Sequence, residues 1–246
     1  MLISVVIPFY RELDLIGRAV ASVLLQRLPS GWELEIIIGN DGKFSEAEIR
    51  SNLPDFAHGA CKVVKNTGPN GAGNARNVAI DTAGGDWIAF LDADDYWVEG
   101  KLEKQILVAA GGANFVATGY KFEGSSFSIM PPVTLSGTAD LLRKLRVSTS
   151  SVLVSRNLIA EDRFENLRFS QDTEYWARLA GKAQFRFGSV PEVLALYAPS
   201  GRTANKFVQA IAFRAVVKRF KLRFFERKAI YTRYAVRGVF NHYLLR

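Results

Sequence analysis

Apolar and polar positions along the chain predict strands separated by helices. Leu2 to Ile7 is a continuous run rich in β-branched residues, ends at Pro8, and reads as a strand buried on both faces. Between residues 12 and 27, Leu13, Ile16, Val20, Val23 and Leu24 recur at helical spacing. Glu35 to Ile38 predicts a second buried strand ending at Asn40-Asp41-Gly42, and Glu46 to Leu53 a helix. Cys61 to Lys65 reads as a third short strand, followed by the turn-rich stretch Asn66 to Gly73. Asn74 to Ala83 predicts a helix stopped by Gly84-Gly85, and Trp87 to Leu91 a fourth strand running into Asp92-Ala93-Asp94-Asp95. This alternation predicts an α/β domain with a mostly parallel sheet and helices on both faces. Past residue 120 the alternation weakens, and a mixed region is expected there.

Composition narrows the class. A hydrophobic fraction of 48% over 246 residues excludes wholesale disorder. The single Cys, Cys61, excludes a disulfide-stapled scaffold. The apolar start, Met1 to Tyr10, lacks a basic flank and a small-residue cleavage site, so it does not read as a signal peptide. Ile106 to Tyr120 is uncharged but too short, and too broken by Gly111-Gly112, to span a bilayer. The net charge of +8 first suggests a polyanionic partner. Divided by segment, residues 1–201 carry a net −3 and residues 202–246 a net +11. The chain therefore reads as an acidic body, 1–201, and a basic C-terminal segment, 202–246.

Ligands of open α/β sheets bind beyond the carboxyl ends of the strands. There this chain places Pro8-Phe9-Tyr10 after the first strand, Asp41 after the second, and Asp92, Asp94 and Asp95 after the fourth. An aromatic ring and several carboxylates on one edge suit a nucleotide held through a metal ion. Three carboxylates within four residues repel one another, and a divalent cation with oxygen ligands removes that repulsion; the alternative is a surface turn or an N-cap cluster before the helix around Leu102. Gly68 to Arg76 is glycine-rich without a Gly-Lys-Ser/Thr or a G-x-G-x-x-G pattern. It either aims Arg76 at a phosphate from a helix start or is a connecting loop with a surface Arg. Asp172 is either a general base or an acid favoured by a helix N-terminus, and Glu174 competes for the same role. His58 and His242 have no zinc-like spacing to other ligands, and Cys61 reads as a small core residue.

Taken in order, these segments resemble the family 2 inverting glycosyltransferases of the GT-A fold. The matching pieces are Ser4 to Tyr10, Ile36 to Gly42, Asn66 through Asn77, Ala83 to Asp95, Lys101-Leu102, and Phe164 to Arg178. The resemblance covers roughly residues 1–200 and implies a Rossmann-like GT-A sheet. It implies a nucleotide-sugar donor, a UDP-hexose in particular, and a Mn²⁺ or Mg²⁺ cofactor. By position, Tyr10 stacks on the uracil with the Pro8 backbone beside it, and Asp41 bonds the base. Arg76 lies near base or phosphate, Asp92 contacts the ribose or diphosphate, Asp94 ligates the metal, and Asp172 deprotonates the acceptor hydroxyl. Several positions depart from the pattern: Gln171 replaces the usual Glu before the base, Arg11 and Lys43 stand where Asn and Ser are common, and the frequent His after Tyr197 is missing, with Arg202 its candidate substitute at phosphate. The motif of processive synthases is absent, so transfer of a single sugar to a lipid-linked or surface-polysaccharide acceptor is expected. A catalytically silent nucleotide-sugar-binding scaffold is the alternative.

In the basic segment, Phe213, Val217, Phe220, Phe224, Tyr231 and Ala235 fall in one stripe when drawn as a single helix, with cations on both flanks. That pattern predicts an amphipathic helix on an anionic membrane surface, through residues 206–246. The enzyme would then be cytoplasmic and peripheral, on the inner face of the cell membrane. The alternative is a helix packing on the body or on a second protomer, giving a homodimer. Nucleic acid is not an expected partner, because the rest of the chain is acidic and carries no recognised module.

Overall fold

The structure, a computed structural model, describes residues 1–57, 59–198 and 206–244. His58 and Arg202 lie outside the described residues, as does the side chain of His242. The first half runs β1 (Leu2–Phe9), α1 (Leu13–Leu24), β2 (Glu33–Asn40), α2 (Glu46–Arg50), β3 (Cys61–Lys65), α3 (Ala72–Thr82) and β4 (Trp87–Phe90). The second half runs β5 (Tyr96–Trp97), α4 (Lys101–Ala110), β6 (Phe115–Phe122), β7 (Ser128–Ile129), α5 (Thr138–Lys144), β8 (Val152–Ser155), α6 (Arg156–Ile159), α7 (Gln171–Ala180) and β9 (Phe187–Tyr197). Two helices close the chain, α8 (Lys206–Arg219) and α9 (Phe224–Leu244).

The strands form one sheet in the order β3-β2-β1-β4-β8-β6-β9-β5, with β7 paired to β6. The β3-β2-β1-β4 half is wholly parallel, as the alternating pattern predicts. The other half is mixed: β8 runs antiparallel to both β4 and β6, β5 runs antiparallel to β9, and β9 runs parallel to β6. "Mostly parallel" therefore holds for the first half of the sheet only. After β1 the chain adds strands on one side, and β4 returns to β1's other side. The crevice between the carboxyl ends of β1 and β4 is the topological switch point where such sheets bind ligands.

Burial on both faces follows from the strand period of two. Ile3, Val5, Ile7 and Phe9 join one core layer with α1 and α4, while Val6 points into the other with Ile80, Phe90, Phe115 and Trp176. Gly39 lets α3 press against the end of β2; a Cβ there would lie 2.0 Å from the Ala75 carbonyl oxygen. That close approach carries Arg76 beneath the switch point.

The C-terminal segment is not one helix with a lipid-facing stripe. It is a pair of helices broken at residues 220–223, where the Glu226 carboxylate accepts from the Arg223 N–H at 2.7 Å and so starts α9. The turn folds Tyr234 back onto Phe213, stacked at 4.3 Å. Phe213, Val216, Val217 and Ile230 are buried in the same core layer as Phe90 and Trp176. Each such side chain stabilises by about 1.5–3 kcal/mol on burial, which favours docking on the body over exposure to lipid. Of the expected stripe Phe224 stays exposed, and the other exposed large apolar residues of the segment, among those described, are Phe207, Val208, Ile211, Phe225 and Val236. No helix among the described residues is long and apolar enough to cross a membrane.

Candidate active site

A cavity of about 670 Å³ opens at the switch point. Pro8, Tyr10, Asp41, Arg76, Asp92 and Asp94 all line it. Pro8 and Tyr10 come from the end of β1, and Tyr10 is exposed. Asp41 follows β2, and its N–H donates to the Phe9 carbonyl at 2.7 Å. Its carboxylate accepts from Asn66 Nδ2 at 2.6 Å and from the Gly71 N–H at 2.8 Å, so it braces the glycine-rich turn against β1. Gly42 is needed at this crossing, because a Cβ would lie 1.9 Å from the Tyr10 carbonyl oxygen.

Arg76, one turn into α3, is buried. Its Nη2 donates to Asp92 Oδ1 at 2.5 Å, and its Cζ lies 5.3 Å from the centroid of the Phe164 ring. Its Nε and Nη1 are buried without a hydrogen-bond partner among the described residues. Orphaned charged donors in a residue that lines a cavity are costly alone and well suited to an anionic oxygen. The surface-loop alternative for Arg76 does not hold.

The three carboxylates after β4 do not converge on one point. Asp92 is paired with Arg76. Asp95 is turned into the protein, where Ser150 Oγ donates to its Oδ2 at 2.6 Å. Burial first, then Asp92, then Asp94, push the Asp95 carboxyl up to about 9. The repulsion expected from the sequence is thus relieved by an arginine and by protonation, leaving Asp94 and Asp92 on the cavity wall. Among the described residues no group of three His, Cys, Asp or Glu side chains is placed to hold a metal ion. A Mg²⁺-type ion needs no such cage when phosphates supply oxygens, one or two carboxylates being enough. Asp94, with Asp92 beside it, fits that donor set.

Asp172 sits in the first turn of α7. It is not among the cavity's lining residues, but its charged neighbours, Arg76 and Asp92, are. Oδ1 accepts from the Thr173 N–H at 2.7 Å, and Thr149 Oγ1 donates to Oδ2 at 3.5 Å. Burial raises its pKa above the ordinary Asp value, and Asp92 pushes the same way. Glu174, the competing candidate, is buried and bonded to Arg178 at 2.9 Å, so it serves the fold.

By sequence alone, Ser148 to Ser151 reads either as a lining of the acceptor side or as an edge strand. The structure makes Thr149–Ser151 a buried turn of 3₁₀ helix leading into β8, an inner strand. Ser150 Oγ also accepts from the Asp92 N–H at 3.1 Å, so one hydroxyl fixes both ends of the Asp92–Asp95 turn. Arg168 lines the cavity and has no counterpart in the sequence reading. The polar run before a β-branched strand was the available signal for the serines, and nothing local marked Arg168.

Comparison with known proteins bears on the family and the fold. Residues 4–177 match the model of "Glycosyl transferase family 2". The chain is 31% identical over 225 residues to TuaG of Bacillus subtilis (strain 168), named for teichuronic acid biosynthesis, covering 88% of this chain and 85% of that protein. It is 27% identical over 248 residues to WfaP of Escherichia coli, a UDP-Glc:alpha-D-GlcNAc-diphosphoundecaprenol beta-1,3-glucosyltransferase, covering 98% and 95%. Among solved structures, the Pyrobaculum calidifontis mannosyltransferase PcManGT, in complex with GDP-Man and Mn²⁺, superposes with a TM-score of 0.65 at 17% identity, covering 94% of this chain and 68% of that one. With a GT-A sheet, a cavity at its switch point and a family match over most of its length, this chain belongs to glycosyl transferase family 2.

Proposed function

We propose that this chain transfers a single hexose from a UDP-sugar to a lipid-linked acceptor, with inversion at the anomeric carbon. The observation that carries the reading is the cavity wall itself: Tyr10, Asp41, Arg76, Asp92 and Asp94 share it, and Arg76 carries two buried N–H groups without partners among the described residues. Tyr10 stacks on the base, beside the Pro8 backbone, and Asp41 bonds the base. Arg76 donates to the diphosphate, while Asp92 orients Arg76 and contacts the ribose side. Asp94 holds Mn²⁺ or Mg²⁺, which supplies charge neutralisation for the departing diphosphate. Asp172 takes the proton from the acceptor hydroxyl; its raised pKa makes it a stronger base than an ordinary Asp. A WfaP-like lipid diphosphate acceptor is consistent with the 98% coverage of this chain. Membrane association, on the inner face, then falls to the exposed Phe224 and Phe225 with the cations around them, in place of the buried Phe213 stripe.

The test is turnover of UDP-sugars with Mn²⁺ or Mg²⁺ for wild type, Asp94→Ala and Asp172→Asn. Loss of a general base lowers kcat by about 10²–10⁴-fold. Undiminished turnover in both variants would refute the assignment. UDP binding without turnover across a panel of lipid-linked acceptors would favour the silent scaffold.

A further inference from the structure

A second groove lies between α9 and the segment that follows α5. Arg146, Lys228 and Arg233 line it with Ala229, Thr232 and Val236, and its volume is about 550 Å³. Its lining contains three cations and no acid. Among the described residues none of the three forms a salt bridge, while Arg143 and Lys144, before the groove, share Asp140. Lys228 lies 5.2 Å from the Phe224 ring, a contact that leaves its charge uncompensated. Like charges gathered around a concave surface repel, and an anion between them reverses the sign of that interaction.

The position of the groove says which anion. It shares no lining residue with the donor cavity. Arg146 stands three residues before Thr149, whose hydroxyl faces the Asp172 carboxylate at 3.5 Å. Three residues span at most about 10 Å, so the groove lies within reach of the proposed base. Exposed Phe224, one turn before Lys228 on α9 and in contact with it, provides an apolar ledge beside the cations, whereas Phe225 lines the neighbouring groove with Asp140 and Glu226.

We propose that this groove binds the diphosphate of a prenyl-linked acceptor. Arg146, Lys228 and Arg233 hold the phosphate oxygens, the Phe224 ledge takes the start of the lipid, and the acceptor sugar extends toward Asp172. The proposal rests on the glycosyltransferase reading and adds to it where the acceptor is held.

The experiment is isothermal titration of the full chain with a water-soluble, short-chain prenyl-diphosphate-GlcNAc. Wild type is compared with the triple variant Arg146→Gln/Lys228→Gln/Arg233→Gln. A control variant, Arg27→Gln/Lys62→Gln/Lys104→Gln, loses the same charge outside the groove. The groove variant is expected to bind about tenfold to a hundredfold more weakly, while the control variant and the UDP affinity of both change by less than about twofold. Wild type should ignore the same prenyl sugar without its diphosphate. Equal affinity of wild type and groove variant, or no binding by wild type, overturns the proposal. So does a groove variant that loses only its binding to phosphatidylglycerol vesicles, since the cations would then serve the bilayer. Groove-dependent binding without sugar transfer leaves the proposal standing and refutes the enzymatic reading instead. The single variant Arg146→Glu, on a loop outside the helices, repeats the test should the triple variant fold poorly.

Discussion

Replacing Arg76 by Met separates a structural arginine from one held ready for a ligand. The substitution keeps an unbranched stem against Phe164 and removes the guanidinium. Two terms then oppose each other in the unliganded protein. Lost is the ion pair to Asp92 at 2.5 Å, whose carboxylate side is 28% exposed and stays partly hydrated. Gained is relief of two buried N–H groups without partners, each of which destabilises by about 1–3 kcal/mol. The stability change is therefore expected to be small, within about 2 kcal/mol, or a melting shift of a few degrees for a chain of this size. Donor binding should respond far more. One or two charge-assisted bonds to phosphate, at about 1.5–3 kcal/mol each, correspond to a loss of UDP affinity of about tenfold to a hundredfold or more. Urea unfolding and calorimetric titration with UDP measure the two effects on the same preparation. A variant that loses more than about 4 kcal/mol of stability while binding UDP as wild type does would refute the reasoning and make Arg76 a fold residue.

Three further outcomes follow from the geometry. Gly39→Ala should destabilise by about 3 kcal/mol or more in urea, because the added Cβ meets the Ala75 carbonyl at 2.0 Å and both partners are backbone. Lys101 is buried over the Trp97 ring at 3.8 Å with Gln105 as its hydrogen-bond partner, and burial depresses its pKa well below the usual lysine value. The folded state then holds fewer protons than the unfolded state between that depressed pKa and about 10.4, so stability rises with pH there, by at most about 1.4 kcal/mol per pH unit; Lys101→Met should abolish that slope in urea titrations at several pH values. Burial pushes the Cys61 thiol up to about 11, so alkylation at neutral pH should be undetectable in the native protein and rapid in urea.

What the sequence determined by itself was local. Continuous apolar runs placed β1 to β4 and their parallel direction, because such runs bury both faces of a strand and helical spacing marks the crossovers between them. The residues after those strands were legible as a site for the same reason: the chain leaves each strand at its carboxyl end, and the sheet brings those ends together. Tertiary structure decided everything that depends on which side chain faces which. No spacing shows that Arg76 neutralises Asp92, that Ser150 turns Asp95 inward, or that Glu174 is spent on Arg178. β8 enters beside β4 from more than fifty residues away, and its antiparallel direction left no periodic trace. The C-terminal segment makes the same point. A stripe of apolar residues at helical period is common to a helix on lipid and a helix on protein. The break at residues 220–223, and the apolar face of the body waiting for Phe213 and Val217, made it the second.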